Sequence, residues 1–153
     1  MINLKKGDKS PAFSGVNQDG KTISSEQLLG QKYILYFYPK DSTPGCTAEA
    51  CNLRDNYEFW KGKGYTVIGV SADSMASHKR FIEKNSLPFD LISDTEKLIL
   101  NSFGVWDKKK MCGREYFGIL RATFVINEEG LIDEVFTKVD TKNHSEQILK
   151  VIK

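Results

Sequence analysis

The stretch YILYFYPKDSTPGCTAEAC (33–51) decides the fold, because it joins a strand pattern directly to the start of a helix. YILYFY (33–38) is a short apolar run of β-forming residues that ends at a proline, which predicts a buried strand. Thr43 and Pro44 match the N-cap and the first position of the helix that follows. Open α/β sheets carry their sites at the carboxyl ends of strands. We therefore expect the functional site in the loop before this helix.

The rest of the chain alternates helix and strand patterns in the same way. YTVIGVSA (65–72) predicts a second buried strand, and Asn127-Glu128-Glu129-Gly130 predicts the turn of a hairpin over residues 122–137. This order predicts an α/β fold with a mixed central β-sheet flanked by helices, in a single domain spanning 1–153. The predicted helices are 44–60, 74–85, 94–103 and 143–153.

Composition excludes several classes of function. The chain has 22 basic and 20 acidic side chains and a formal net charge of +2, too small a charge to indicate a nucleic-acid partner. We interpret its one lysine cluster, residues 108–110, as a solvated turn. No signal-peptide pattern or membrane-spanning run is present, so we expect a soluble cytoplasmic protein with no membrane partner. Three cysteines favour reactive thiols over a disulfide framework.

Cys46 is the first candidate for chemistry, since the predicted helix places it in the first turn. Its sulfur would lie near unpaired backbone N–H groups and the positive end of the helix dipole, and both favour the thiolate over the thiol. Thr43 can place a hydroxyl beside the sulfur, and Gly45 lets a small ligand approach the backbone. The alternative is a buried cysteine that only packs. The Thr-Pro-Gly sequence before Cys46 favours function.

Cys51 follows Cys46 by five residues, a spacing that leaves two interpretations open. Within an α-helix, five residues give a rise of ~7.5 Å and a rotation of ~140°. A disulfide needs Cα atoms within ~6.8 Å and facing side chains, so an intact helix excludes the bond. Either the first turns unwind to let the two cysteines meet, or Cys51 is a core residue and an outside thiol reduces Cys46.

Longer motifs resemble a known family. Pro39-x-x-x-Thr43-x-x-Cys46 resembles the active-site motif of the peroxiredoxins, and YPKDSTPGCTAEAC is similar to the bacterioferritin comigratory protein subfamily, also called peroxiredoxin Q. GDKSPAFSGVNQDGKTISSEQL (7–28), VIGVSAD (67–73) and GILRATFVI (118–126) extend the resemblance over essentially the whole chain. The resemblance implies a thioredoxin-like fold and the reduction of hydrogen peroxide and organic hydroperoxides, with Cys46 as the peroxidatic cysteine.

The same resemblance places Arg121 in this site, and the chemistry of peroxide reduction suggests roles for three further residues. Arg121, just before the predicted strand ATFVI, would reach both the thiolate and the peroxide; on its own it is typical of a solvated arginine at a strand end. Thr43 would hydrogen-bond the peroxide, and Pro39 would wall the pocket. Glu49, one turn after Cys46, would orient Arg121, although a solvated helix glutamate fits the sequence equally well.

For Cys51 the resemblance favours the unwinding interpretation, with Cys51 as the resolving cysteine in a disulfide with Cys46. It also implies thioredoxin as reductant and a monomer or weak homodimer, and we expect no cofactor. Cys112 lies outside the subfamily pattern in a hairpin-like Met-Cys-Gly-Arg stretch, and we favour a bystander over an alternative resolving role. His78 and His144 lack metal-ligand spacing, so we expect no metal.

Two other functions remain as alternatives. A thioredoxin-type thiol-disulfide oxidoreductase would carry C-x-x-C at the helix start, whereas here four residues separate Cys46 from Cys51. A non-enzymatic, redox-switched binding protein would use unwinding of the first helix to expose a surface.

Overall fold

The computed structural model describes residues 1–152, with the backbone alone at residue 111, and alternates strands with helices along the chain. The strands are β1 (Ser14–Val16), β2 (Thr22–Ser24), β3 (Lys32–Phe37), β4 (Tyr65–Ser71), β5 (Asp90–Ser93), β6 (Trp106–Met111), β7 (Arg114–Ile119), β8 (Ala122–Ile126) and β9 (Ile132–Phe136). The helices are α1 (Pro44–Asp55), α2 (Tyr57–Gly62), α3 (Met75–Asn85), α4 (Leu98–Ser102) and α5 (His144–Leu149).

Within residues 1–152, seven strands form one mixed sheet in the order β2-β1-β5-β4-β3-β8-β9. β3 runs parallel to β4 on one side and antiparallel to β8 on the other. The pairing of Phe37 with Ala122 puts the end of β3 beside the start of β8. The predicted mixed sheet is confirmed, as are both predicted buried strands and the hairpin that joins β8 to β9.

Side chains of β3 divide the apolar core into two layers, because successive strand residues point to opposite faces of a sheet. Ile34, Tyr36 and Tyr38 lie in the layer that α1 and α2 cover, together with Cys46 and Trp60. Burying a large apolar side chain stabilises the fold by about 1.5–3 kcal/mol. Packing of this kind holds α1 against the sheet, and with it the reactive end of the helix. The opposite layer contains Tyr33, Leu35, Phe37, Phe103 and Phe124.

Helix α1 begins at Pro44 as predicted, but it does not continue to Trp60. It is interrupted at Asn56, whose side-chain amide donates to the Asn52 carbonyl at 2.8 Å. The same carbonyl accepts the backbone N–H of Asn56 at 3.2 Å, so side chain and helix compete for one acceptor. A separate short helix, α2, begins at the next residue.

Two further helices are shorter than predicted. The helix expected over 94–103 is only Leu98–Ser102, because Lys97 has a φ of +64° that a continuous helix cannot contain. The terminal helix ends at Leu149 rather than at Lys153, which lies outside the described residues. α3 begins as predicted after Ser74, whose hydroxyl oxygen accepts the Ser77 N–H and so caps the helix. None of the helices in residues 1–152 is long and apolar enough to cross a membrane.

The predicted turn at the lysine cluster 108–110 is wrong. These lysines lie in β6, which pairs with β7 in a separate two-stranded hairpin. The turn of this hairpin lies further on, at Cys112 and Gly113, which have positive φ values of 52° and 78°. Glycine and asparagine are the residues that most often adopt positive φ values in hairpin turns. A lysine would adopt them only at an energetic cost.

Candidate active site

The loop Pro39–Thr43 leaves the carboxyl end of β3 and enters α1. Pro44 occupies the first helical position, and Thr43 has the extended N-cap conformation, with φ −86° and ψ 154°. The Thr43 hydroxyl does not cap the helix but donates to the Lys40 carbonyl at 2.8 Å. A hydroxyl that donates in this way still has lone pairs with which to accept a bond. Pro39 and Thr43 are both half-buried.

Cys46 is buried, with its sulfur against Arg121. The Arg121 Nη2 group donates to the Cys46 Sγ at 3.3 Å. Strand pairing brings them together, since Arg121 immediately precedes β8, which lies beside β3. A Cβ added at Gly45 would lie 3.3 Å from the Arg121 Nη2 atom. The guanidinium of Arg121 thus lies close to the backbone at Gly45. The Cys46 sulfur thus lies in the first turn of α1 and beside a cation.

Glu49 lies one helical turn after Cys46 and is fully buried. The Arg121 Nη1 group donates to its Oε1 atom at 2.6 Å. Burial raises the pKa of Glu49 to about 7, although the Arg121 cation acts in the opposite direction. Among residues 1–152 its Oε2 atom has no hydrogen-bond partner. Arg121 therefore bridges the sulfur and a carboxyl group that can hold a proton near neutral pH.

His144 is a buried neighbour of Glu49 that the sequence did not indicate. Its Nε2 atom lies 3.7 Å from the Glu49 Oε2 and 2.7 Å from the Thr123 hydroxyl. Its Nδ1 atom faces the Gln147 Oε1 at 2.9 Å. The Gln147 amide donates to the Lys138 carbonyl at 2.7 Å, which fixes Oε1 as an acceptor. Nδ1 therefore carries the proton, and Nε2 accepts from Thr123. Burial lowers the pKa of His144 to about 4, so the ring stays neutral.

Comparison with known proteins identifies the family. The family model of AhpC/TSA proteins matches residues 6–135. Peroxiredoxin Bcp of Escherichia coli strain K12 is 43% identical over 153 residues, covering all of this chain and 98% of its own. The chain belongs to the AhpC/TSA family, as a peroxiredoxin of the bacterioferritin comigratory protein subfamily. The family makes it a thiol peroxidase.

Other similar proteins agree with this peroxiredoxin assignment. Peroxiredoxin Bcp of Bacillus subtilis strain 168 is 41% identical over 152 residues, with 99% of this chain and 97% of its own covered. The structure of Xanthomonas campestris bacterioferritin comigratory protein aligns with a TM-score of 0.85 at 32% identity, covering 90% of this chain and 88% of its own. A cysteine-to-serine mutant of PrxQ from Xylella fastidiosa aligns with a TM-score of 0.88 at 29% identity, covering 98% of this chain and 94% of its own. The expected thioredoxin-like fold is confirmed.

The other two thiols of the peroxiredoxin lie apart from this contact. Cys46 and Cys51 are both free, and both lie within the unbroken helix Pro44–Asp55. Cys51 is half-buried, and its Sγ donates to the Asn85 Oδ1 of α3 at 3.8 Å. Cys112 is exposed at the tip of the β6–β7 hairpin. The structure thus brings Arg121, Glu49 and Cys46 together and leaves Cys51 on another face of α1.

The sequence suggested that His78 is isolated, but the structure places it among acidic groups. It lies with Asp41 and Asp73, whose ligand-type atoms are all within 4.8 Å of one another. The spacing of these residues along the chain resembles no metal motif, so only the fold reveals the cluster. The His78 Nδ1 faces the Asp41 Oδ2 at 2.7 Å and its Nε2 faces the Ile92 carbonyl at 3.0 Å. Both ring nitrogens of His78 thus face hydrogen-bond partners, one in the loop before α1 and one in β5.

Lys109 also lies closer to the site than a solvated turn would place it. Its Nζ group donates to the Ile119 carbonyl at 2.9 Å, two residues before Arg121. Burial lowers the pKa of Lys109, and the nearby Arg121 cation lowers it further. Its side chain passes over Gly118, where an added Cβ would lie 2.9 Å from the Lys109 Cδ atom. The middle residue of the lysine cluster therefore adds positive charge beside Arg121.

Proposed function

We propose that the protein reduces hydrogen peroxide and organic hydroperoxides with the Cys46 thiolate as the attacking group. The observation that carries this proposal is the contact of 3.3 Å between the buried Cys46 Sγ and the Arg121 Nη2. A thiolate in the first turn of a helix and beside a fixed cation is both activated and held in place.

In the first step the Cys46 sulfur attacks one oxygen of the peroxide, and the O–O bond breaks. The electron pair of that bond leaves on the second oxygen, which takes up a proton to become water or an alcohol. Cys46 is left as a sulfenic acid. Arg121 lies where negative charge moves from sulfur to oxygen, and a cation there stabilises the transition state. The hydroxyl oxygen of Thr43 accepts a hydrogen bond from the peroxide O–H, and Pro39 lines the pocket.

In the second step the Cys51 thiol attacks the sulfenic sulfur, a disulfide forms and water leaves. Both residues lie in the unbroken helix α1, where a step of five residues rises ~7.5 Å along the axis, so their Cα atoms are at least that far apart. That distance exceeds the ~6.8 Å limit for a disulfide, so the first turns of α1 must unwind. We therefore expect amide exchange in residues 44–56 to rise on oxidation; unchanged exchange would exclude this step.

A dithiol of the thioredoxin type then restores the enzyme. Its thiolate attacks the Cys46–Cys51 disulfide, and a second exchange leaves both cysteines as thiols and the reductant as a disulfide. Unwinding of α1 would make the disulfide accessible to such a partner. Support for this step comes from the family of the chain rather than from a contact within it.

The decisive experiment measures NADPH oxidation in the presence of peroxide, thioredoxin and thioredoxin reductase. We expect steady turnover for the wild type and none for Cys46→Ser. Cys51→Ser should consume one equivalent of peroxide and then stop, with Cys46 trapped as a sulfenic acid in the mass spectrum. Steady turnover of Cys46→Ser would exclude Cys46 as the attacking group. Full thioredoxin-dependent turnover of Cys51→Ser would exclude Cys51 as the resolving residue.

A further inference from the structure

A buried carboxylate lies in the middle of the active-site loop, two residues before Thr43. Asp41 has a relative exposure of only 6%, and both of its side-chain oxygens accept hydrogen bonds. The Tyr38 hydroxyl donates to its Oδ1 at 2.6 Å, and the Ser77 hydroxyl donates to its Oδ2 at 2.8 Å. The His78 Nδ1 lies 2.7 Å from the same Oδ2. A buried carboxylate with this many donors is fixed in one position.

His78 connects this carboxylate to the sheet. The ring is fully buried, and its Nε2 lies 3.0 Å from the Ile92 carbonyl in β5. A carbonyl can only accept, so Nε2 carries a proton. Nδ1 and the Asp41 Oδ2 must then share a second proton, since two bare lone pairs would repel each other at 2.7 Å. The short bond therefore ties the loop to α3, and the other ring nitrogen ties His78 to β5.

The backbone of Asp41 is held as well as its side chain. Its N–H donates to the Asp73 Oδ2 at 2.9 Å, and that oxygen also accepts the Ser71 hydroxyl at 2.7 Å. Ser71 ends β4, and Asp73 lies in the connection to α3. The loop is thus tied to two strands and to the start of α3.

These bonds surround a strained position. Ser42 has a φ of +64°, in the left-handed region that residues with side chains rarely adopt. Such conformations persist only where their surroundings hold them. Asp41 anchors the backbone on one side of Ser42, and the bond of Thr43 to the Lys40 carbonyl closes the turn on the other. Without the anchor the turn can relax, and Thr43 and the start of α1 would move with it.

We propose that Asp41 and His78 form a positioning pair, which holds the Pro39–Thr43 loop in the conformation that reacts with peroxide. Neither residue touches the sulfur in the described structure; both act through Thr43 and the start of α1. This inference rests on the proposed reaction at Cys46. The pair anchors the chain before α1, so unwinding after oxidation begins beyond Thr43 and leaves the loop in place. Its loss should slow the attack on peroxide without slowing the formation of the disulfide.

The test compares four variants by three measurements. His78→Phe removes both bonds of the ring, and Ser77→Ala removes one hydroxyl bond to Asp41 and leaves the ring in place. Asp41→Asn retains the geometry, because an amide can donate to a bare Nδ1 while Nε2 still donates to Ile92. Ser25→Ala is the matched control, since it removes a part-buried hydroxyl that bonds Phe13 far from the loop. The measurements are the rate of Cys46 oxidation by one equivalent of peroxide, the rate of disulfide formation from the sulfenic acid, and amide exchange over 40–46.

We expect His78→Phe to lower the oxidation rate by about 10- to 100-fold, the size of effect that a small misplacement produces. Ser77→Ala should lower it by a few-fold, whereas Asp41→Asn and Ser25→Ala should stay close to wild type. Exchange over 40–46 should rise in the same order, and the rate of disulfide formation from the sulfenic acid should not fall.

The proposal would be overturned if His78→Phe showed the wild-type rate of Cys46 oxidation and wild-type amide exchange. It would also be overturned if Ser77→Ala and Ser25→Ala changed the oxidation rate equally. If His78→Phe does not fold, the two serine variants decide the question. Amide exchange over 40–46 tests the positioning pair even if the wild type does not react with peroxide. Failure of the proposed function can therefore be distinguished from failure of this inference.

Discussion

Two buried carboxyl groups, Asp41 and Glu49, lie on either side of the first turn of α1, and their surroundings differ. Asp41 receives three donors on its two oxygens. Glu49 receives only Arg121 on one oxygen, and its other oxygen has no partner within residues 1–152. A fully bonded carboxylate is a fixed support, whereas one with an open oxygen can gain or lose a proton at little structural cost.

The two buried histidines explain this difference. His78 directs one nitrogen at a backbone carbonyl and shares the proton of the other with Asp41. His144 uses its one proton toward Gln147 and accepts from Thr123, so it has none to offer Glu49 at 3.7 Å. The other hydrogen bonds of a histidine thus decide whether it can donate to a nearby carboxyl group.

Arg121→Met should have the largest effect, because it removes the cation that both Cys46 and Glu49 use. We expect the rate of Cys46 oxidation by hydrogen peroxide to fall by about 100- to 1,000-fold, as for loss of a preorganised charge-stabilising group. Competition kinetics with a second peroxidase would measure it. Arg114→Met, at an exposed position of β7, is the matched control and should react normally. A normal rate for Arg121→Met would show that the contact with the sulfur is incidental.

Glu49→Gln should remove a pH dependence of stability. The pKa of Glu49 is raised from 4.5 to about 7, so the folded protein keeps a proton that the unfolded chain releases. The free energy of unfolding of the wild type should therefore fall relative to Glu49→Gln as pH rises through this window, by about 3 kcal/mol in total. His144 contributes to the free energy of unfolding with the opposite dependence on pH. Both proteins contain it, so its contribution cancels in the difference.

Urea denaturation at several pH values from 4.5 to 8 would measure this difference between wild type and Glu49→Gln. Glu83→Gln, at an exposed position of α3, is the control and should give a constant difference from wild type. A constant difference for Glu49→Gln as well would mean that Glu49 is ionised throughout.

Two stacked tyrosines offer a smaller test of the same contrast. Tyr36 and Tyr38 are equally buried, with ring centroids 5.4 Å apart, but only Tyr38 bonds to Asp41. Within residues 1–152 the Tyr36 hydroxyl has no partner. Tyr38→Phe should lower the free energy of unfolding by about 2 kcal/mol, whereas Tyr36→Phe should be neutral or slightly stabilising. Equal losses in urea denaturation would show that the Tyr36 hydroxyl is bonded after all.

Cys112→Ser should have the smallest effect. This thiol is exposed at the tip of the β6–β7 hairpin, away from both carboxyl groups. We expect thioredoxin-dependent turnover to change by less than about twofold, as is usual for an exposed substitution. A marked loss would instead support a resolving role for Cys112, and a mixed disulfide in the mass spectrum would identify its partner.

Sequence reasoning succeeded where neighbours along the chain decide the structure. The strand before Pro39, the helix start at Pro44 and the turn at Asn127–Gly130 all depend on residues within a few positions of one another. It failed at Asn56 and Lys97, where one side-chain bond or one backbone angle ended a regular pattern. It also misplaced the lysine cluster, because β6 is stabilised by its partner strand rather than by its own residues.

The sequence by itself determined that a cysteine would stand in the first turn of a helix behind a strand, and that its five-residue spacing from Cys51 excludes a disulfide in an intact helix. Only the tertiary structure decided which groups surround that sulfur. Arg121 is 75 positions from Cys46, and His78 is 37 positions from Asp41. Such contacts depend on strand order and on which helix faces meet the sheet. Local propensity does not specify either, because many chain paths satisfy the same local patterns.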